Sequence, residues 1–275
     1  MGRFKESVSS YIKHRFSVQS KYSLHSPFIY RFWAGILKDY TNYPAYGRVE
    51  KFRKIMLGNE KVIHRMDYGA GSDAAAVSGS KGSSGISAAT TAVAVKELAR
   101  NSSVSVAKGQ FLYKLVKVNQ PAWVLELGTS LGLSALYMAE AAPDAKIITL
   151  EGCIETAAIA KSYFETAGKK NITLLEGTFA ENLDEALQLM PKPDFIFFDG
   201  DHRYESTLLY WEKCLPRLYP GSVVVFDDIH WSAGMEKAWK HIISSQQVKV
   251  SIDLYYLGIV FFREELSKED FVLRF

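Results

Sequence analysis

The chain has 275 residues, 48% of them hydrophobic, which suffices for one large α/β domain or a domain with an extension and excludes a wholly disordered chain. No apolar run approaches the roughly 20 residues that cross a bilayer, and the opening MGRFKESVSSYIKHRF is too polar for a signal peptide, so a cytoplasmic location is expected. Net charge is only +3, but residues 1–65 carry 13 Lys or Arg against 4 Asp or Glu, leaving 20 against 26 for the rest.

Residues 1–66 read as a basic, aromatic-rich helical extension. Ser26 as N-cap and Pro27 in the first turn predict a helix start. Lys13, Arg15, Lys21, Arg31, Lys51, Arg53 and Lys54 could meet nucleic acid or an acidic lipid surface, although such charges more often form the solvated faces of helices. On that balance nucleic acid is disfavoured as a partner. Residues 67–91, DYGAGSDAAAVSGSKGSSGISAATT, are dominated by Gly, Ala and Ser and read as a flexible loop. Their first part, Asp67 to Ser72, mimics a cofactor loop, but no apolar strand precedes it.

Helices are predicted near Thr91 to Arg100 and Lys108 to Val118. From Pro121 strands alternate with helices, the pattern of a parallel sheet. The predicted strands are Ala122–Leu127, Lys146–Leu150, Ile172–Leu175, Asp194–Phe198, Ser222–Phe226, Lys249–Tyr255 and Gly258–Phe262, the last two forming an antiparallel hairpin. The fold class is therefore α/β, a Rossmann-like seven-stranded sheet with a terminal antiparallel hairpin and an N-terminal helical extension. Only Cys153 and Cys214 occur, without CxxC or zinc-like spacing, so both are expected as reduced core thiols.

The first strand runs into Glu126-Leu127-Gly128-Thr129-Ser130-Leu131-Gly132, which opens a helix. A strand, a glycine turn and a helix N-terminus together present backbone N–H groups and a positive dipole end to a polar ligand. A dinucleotide-binding G-x-G-x-x-G is absent, since Ser stands at 130. The same residues spell G-x-S-x-G, the nucleophile elbow of α/β-hydrolases with Ser130 as nucleophile. A third reading uses both acids, because a carboxylate ending the second strand, here Glu151, can accept hydrogen bonds from ribose hydroxyls.

VLELGTSLGLSALYMA followed by IITLEG resembles the cofactor-binding motifs of class I S-adenosylmethionine-dependent methyltransferases, and the terminal hairpin is similar to theirs. The resemblance implies that residues 92–275 bind S-adenosylmethionine, with Glu126, Gly128, Thr129 and Ser130 at its methionine end and Glu151 on its ribose. Glu176 to Ala180 lacks the acid that many members of that family carry near Thr178 for adenine.

Two later strands end in acids: Phe198-Asp199-Gly200-Asp201-His202 and Phe226-Asp227-Asp228-Ile229-His230-Trp231. Asp199 and Asp201 could simply cap the next helix. Carboxylates gathered on neighbouring strands would otherwise repel one another unless protonated or bound to a hard cation such as Mg²⁺, Mn²⁺ or Ca²⁺. The pattern resembles metal-dependent O-methyltransferases of the catechol, caffeoyl-coenzyme A and antibiotic-sugar types. That resemblance, over about residues 108–263, implies Asp199, Asp227 and Asp228 as metal ligands, with Asp199 also beside the cofactor, and Asp201 or His202 as the base. His230 and Trp231 would flank the acceptor, a small hydroxylated molecule of unspecified kind. A metal-free N- or RNA methyltransferase and a serine hydrolase are the rival readings, and a homodimer is left open.

Overall fold

The structure, a computed structural model, describes residues 11–12, 14–20, 25–68 and 89–275. In chain order the elements are α1 (Pro27–Phe32, continued by a π-turn, Trp33–Leu37), α2 (Pro44–Leu57), β1 (Val62–Asp67), β2 (Ala89–Ala94), α3 (Val95–Asn101) and α4 (Val106–Asn119). There follow β3 (Trp123–Leu127), α5 (Leu133–Ala141), β4 (Lys146–Glu151), α6 (Ile154–Thr166), β5 (Ile172–Glu176) and α7 (Phe179–Leu189). The last are β6 (Phe195–Phe198), α8 (Tyr204–Cys214), β7 (Val223–Asp227), α9 (Ala233–Ser244), β8 (Val250–Asp253), β9 (Leu257–Phe261) and β10 (Glu269–Val272). The chain is α/β with mostly parallel strand pairing, a separate antiparallel hairpin and N-terminal helices, and it divides into two compact units, Thr41–Pro191 and Met1–Tyr40 with Lys192–Phe275.

In the unit Thr41–Pro191, β3, β4 and β5 pair in parallel, with Glu126 opposite Thr149 and Glu151 opposite Glu176. Buried aliphatic residues fill β3 and β4, and α5 is buried on almost every face, as expected for elements covered on both sides. Ser105 caps α4 by accepting a hydrogen bond from the Lys108 N–H at 3.3 Å. The hairpin β1–β2 is a departure from the predicted pattern. Val62 to Asp67 pairs antiparallel with Ala89 to Ala94, where a helical extension, a loop and a helix start were expected. The β-branched Thr90, Thr91 and Val93 favour the pleat, so α3 begins only at Val95. A strand thus does precede the Asp67–Ser72 stretch, but it belongs to this hairpin; Gly69 to Ser72 lie outside the described residues.

In the unit Met1–Tyr40 with Lys192–Phe275, the strands run in the order β10-β8-β9-β7-β6. β6 and β7 are parallel, and β9 is antiparallel to both β7 and β8. All seven predicted strands, β3 to β9, are present, and β10, parallel to β8, is an unpredicted eighth. Gln19 covers its edge: the Gln19 N–H donates to the Val272 carbonyl at 2.8 Å, and the Val272 N–H donates back to Gln19 Oε1 at 3.3 Å. Phe28 packs edge-on against Phe261 at 4.9 Å between ring centres, which ties α1 to β9. Cys153 and Cys214 are buried and form no disulfide. No described helix is long and apolar enough to cross a membrane.

Candidate functional site

The turn after β3 is wound by three positive φ angles, 107° at Gly128, 48° at Ser130 and 83° at Gly132. Gly132 is the N-cap of α5 and has no side chain to offer the first-turn N–H groups, which leaves them to a ligand or water. A Cβ there would lie 2.4 Å from Phe164 Cε1, so only glycine fits. Gly128 and Thr129 both donate their N–H groups to the Leu150 carbonyl at 3.1 Å, which fastens the turn to β4.

Beneath the turn, Glu126 is fully buried. Its Oε2 accepts a hydrogen bond from Thr149 Oγ1 at 2.6 Å, and Thr149 Oγ1 lies 2.6 Å from Thr129 Oγ1. Burial pushes the Glu126 carboxyl up to about 7, against the opposing influence of the Ser134 and Thr149 hydroxyls. Its Oε1 has no hydrogen-bond partner among the described residues. A buried carboxylate oxygen left in that state favours either a proton or a donor brought by a ligand.

At the end of β4, Glu151 is held by two backbone donors, Ser130 N–H to Oε2 at 2.8 Å and Cys153 N–H to Oε1 at 2.9 Å. A carboxylate offers about four acceptor positions, and these two bonds fix its direction. The turn and acid therefore suit a ligand with neighbouring hydroxyl donors, as ribose has. The positive φ of Ser130 would also suit a nucleophile elbow, but no histidine hydrogen-bonds its hydroxyl among the described residues.

The second acidic region lies wholly in the other unit. Phe198 pairs with Phe226, so the successors Asp199 and Asp227 sit side by side at the ends of β6 and β7. Asp227 is buried, and Asp228 follows at φ 53° with its N–H donating to the Tyr256 carbonyl at 2.7 Å. The donor chemistry suits a hard cation, but no group of three His, Cys, Asp or Glu side chains among the described residues is arranged to hold one. The predicted ligand set Asp199, Asp227 and Asp228 is therefore gathered at one sheet edge without converging on a point.

The capping explanation for these acids does not hold, because the N-cap of α8 is Arg203. Asp201, at φ 63°, is gripped through both oxygens by the Arg203 guanidinium, Nε to Oδ1 and Nη2 to Oδ2 at 2.9 Å. His202 is half-buried beside it. Trp231 is 59% exposed and so is not a core residue. His230 is half-buried between Asp253 Oδ2, 2.8 Å from Nε2, and Glu236 Oε1, 3.1 Å from Nδ1, and stacks on Tyr255 at 5.1 Å. Burial lowers its basicity, but these two carboxylates outweigh that and raise its pKa. His14 adds a second imidazole to Asp253, with Nε2 3.1 Å from Oδ1. Arg203, Asp253, Glu236, Tyr255 and His14 all escaped the sequence reading. Arg203 and Glu236 were visible as nearby charges, whereas nothing in the order of residues joins His14 to Asp253.

A strand, a glycine turn and an acid at the next strand end define an α/β protein of the cofactor-binding class. The O-methyltransferase family model matches residues 80–254, and the chain belongs to that family. It is 33% identical over 130 residues to the catechol O-methyltransferase of Niastella koreensis, spanning 46% of this chain and 58% of that protein. It is 31% identical over 152 residues to the catechol O-methyltransferase of Mycobacterium tuberculosis, 54% of this chain and 67% of that one. The chain thus spans little more than half the length of the first of these curated relatives. A Bacillus cereus O-methyltransferase solved with SAH shares the fold, with a TM-score of 0.53 at 19% identity over 85% of this chain and 97% of that one.

Proposed function

We propose that the protein is an S-adenosylmethionine-dependent O-methyltransferase acting on a small hydroxylated acceptor with help from a divalent cation. The observation that carries this reading is Glu151, the acid closing β4, whose direction the Ser130 and Cys153 N–H groups fix beside the glycine turn. Glu151 would take the ribose hydroxyls, while Gly128, Thr129, Ser130 and the buried Glu126 shape the methionine end. When bound, the cofactor supplies a methyl group on a sulfonium sulfur, which an oxygen displaces in line.

The acceptor hydroxyl must lose its proton to react. Arg203 occupies both oxygens of Asp201 and favours its role as an orienting ion pair, so His202 is the better-placed base. Asp199, Asp227 and Asp228 have the hard oxygen donors that Mg²⁺ prefers; were their carboxylates turned toward a common point they would hold the ion, which would lower the pKa of a bound hydroxyl. His230 and the exposed Trp231 would border the acceptor.

Calorimetric titration of the full chain with S-adenosylmethionine, with and without Mg²⁺, tests the reading. Saturable one-site binding is expected, as is methyl transfer to hydroxylated acceptors that falls at least tenfold with chelator or in Asp227→Asn. Absence of cofactor binding under both conditions sinks the methyltransferase reading. Transfer that ignores both chelator and Asp227→Asn removes the metal alone.

A further inference from the structure

Gly152 follows Glu151 at the end of β4, and the space a side chain would need there is already taken. A Cβ at 152 would lie 2.8 Å from Tyr68 Cδ2 and 3.0 Å from Cε2. The Tyr68 ring thus lies against the peptide next to the acid assigned to ribose. It comes from the residue just past β1, in a hairpin arm that precedes the region matched by the family model.

Three contacts fix that arm in place. The His64 N–H donates to Glu155 Oε2 at 2.9 Å, His64 Nδ1 lies 3.5 Å from Glu155 Oε1, and Cys153 Sγ lies 3.6 Å from the His64 carbonyl. Cys153 follows Gly152 directly and Glu155 lies in the first turn of α6, so the hairpin is fastened beside the glycine that its tyrosine covers. The next strand end belongs to the same neighbourhood. Gly177 donates its N–H to the Glu151 carbonyl at 2.9 Å, and Glu181, on the turn that follows, is among the charged groups acting on Tyr68. Over Gly177 lies Asn182, whose Nδ2 is buried and has no hydrogen-bond partner among the described residues. An aromatic face and a donor lacking an acceptor, both beside a ribose-type acid, are what a purine base would use.

We propose that Tyr68 is a cofactor-binding residue of this chain, its ring forming an aromatic wall against which the adenine of S-adenosylmethionine stacks. The inference rests on the cofactor reading above and adds a residue supplied by the β1–β2 hairpin. The absence of a side chain at 152 then has a reason, since it leaves room for the ring.

The test is equilibrium binding of S-adenosylhomocysteine, and separately of adenosine, to the full chain by calorimetry. Tyr68→Phe should bind within about twofold of the wild type, and Tyr68→Ala roughly tenfold more weakly for both ligands. Tyr68→Leu, which keeps bulk but has no π face, should also lose affinity and guards against a collapsed alanine variant. Gly152→Ala, by displacing the ring, should weaken binding in the Tyr68 background and add nothing to Tyr68→Ala. Wild-type affinity in both Tyr68→Ala and Tyr68→Leu would overturn the wall while leaving the cofactor reading intact. A wild type that binds neither ligand would instead remove the cofactor reading itself, and the wall with it.

Discussion

At the scale of single residues, Glu126 is where burial and charge conflict most directly. Its folded pKa near 7 lies above the ordinary 4.5, so between those values the unfolded chain gives up a proton that the folded chain keeps. Stability must therefore fall as pH rises from about 4.5 to 7 and level off above, by about 3 kcal/mol at most for one group. Glu126→Gln, whose amide oxygen can still accept from Thr149, should abolish that decline. Denaturant unfolding of both proteins at pH 5 and pH 8 reads it out, and parallel pH profiles would mean that Glu126 carries no such burden. Glu126 and Glu151 could be picked out from the sequence because each closes an apolar strand. The grip of Arg203 on Asp201 could not, because it depends on the left-handed φ that turns the Asp201 carboxylate back on its neighbour.

Among the elements, one carboxylate joins the segment that precedes α1 to two later parts of the chain, beside the Gln19 bonds to β10. Asp253, at the end of β8, takes His14 from that segment, His230 from the β7–α9 loop and the Tyr255 N–H at 2.8 Å. Burial alone would raise its pKa, but the bonds from His14 and His230 prevail and hold it well below the usual carboxylate range. Its depressed pKa gives stability that is present above about 4 and lost only in acid, whereas the raised pKa of His230 gives stability that is full below about 6.5 and fades as pH climbs. The two overlap from about pH 4 to 6.5. Asp253→Asn should therefore cost most in that window, about 3 kcal/mol as expected for breaking a buried ion pair, and less at pH 9. Unfolding at pH 5.5 and 9 measures the difference, and an equal loss at both would deny the ion pair its share. The same comparison by limited proteolysis should show faster cleavage near residue 14 in the variant. No sequence pattern marks this fastening, nor β10 or the β1–β2 hairpin. Those strands are short, and their pairing is set by distant partners such as Gln19 and by alternation too brief to read.

For the whole molecule, the parts legible in advance were those with long, regular apolar periodicity. Strands β3, β4, β6 and β7 are almost wholly buried runs bounded by turn residues, and the helices between them follow from their own spacing. What stayed hidden was the division into two compact units, Thr41–Pro191 and Met1–Tyr40 with Lys192–Phe275, because the second is assembled from both ends of the chain. That division has a measurable consequence for the cofactor reading. The glycine turn, Glu126, Glu151 and Tyr68 all fall in Thr41–Pro191, so a ligand held there stabilises the unit that carries them. At 100 times its dissociation constant, S-adenosylhomocysteine adds about 2.7 kcal/mol to the state that binds it, enough to raise the unfolding midpoint by roughly 5 °C in a chain of this size. Glu151→Ala should lose most of that shift, since it removes the acceptor for the ribose hydroxyls and also frees the Ser130 and Cys153 N–H groups. Scanning calorimetry of both proteins with increasing ligand decides the matter: a shift that grows with ligand in the wild type and is nearly absent in Glu151→Ala places the nucleoside on Glu151, and an equal shift in both places it elsewhere.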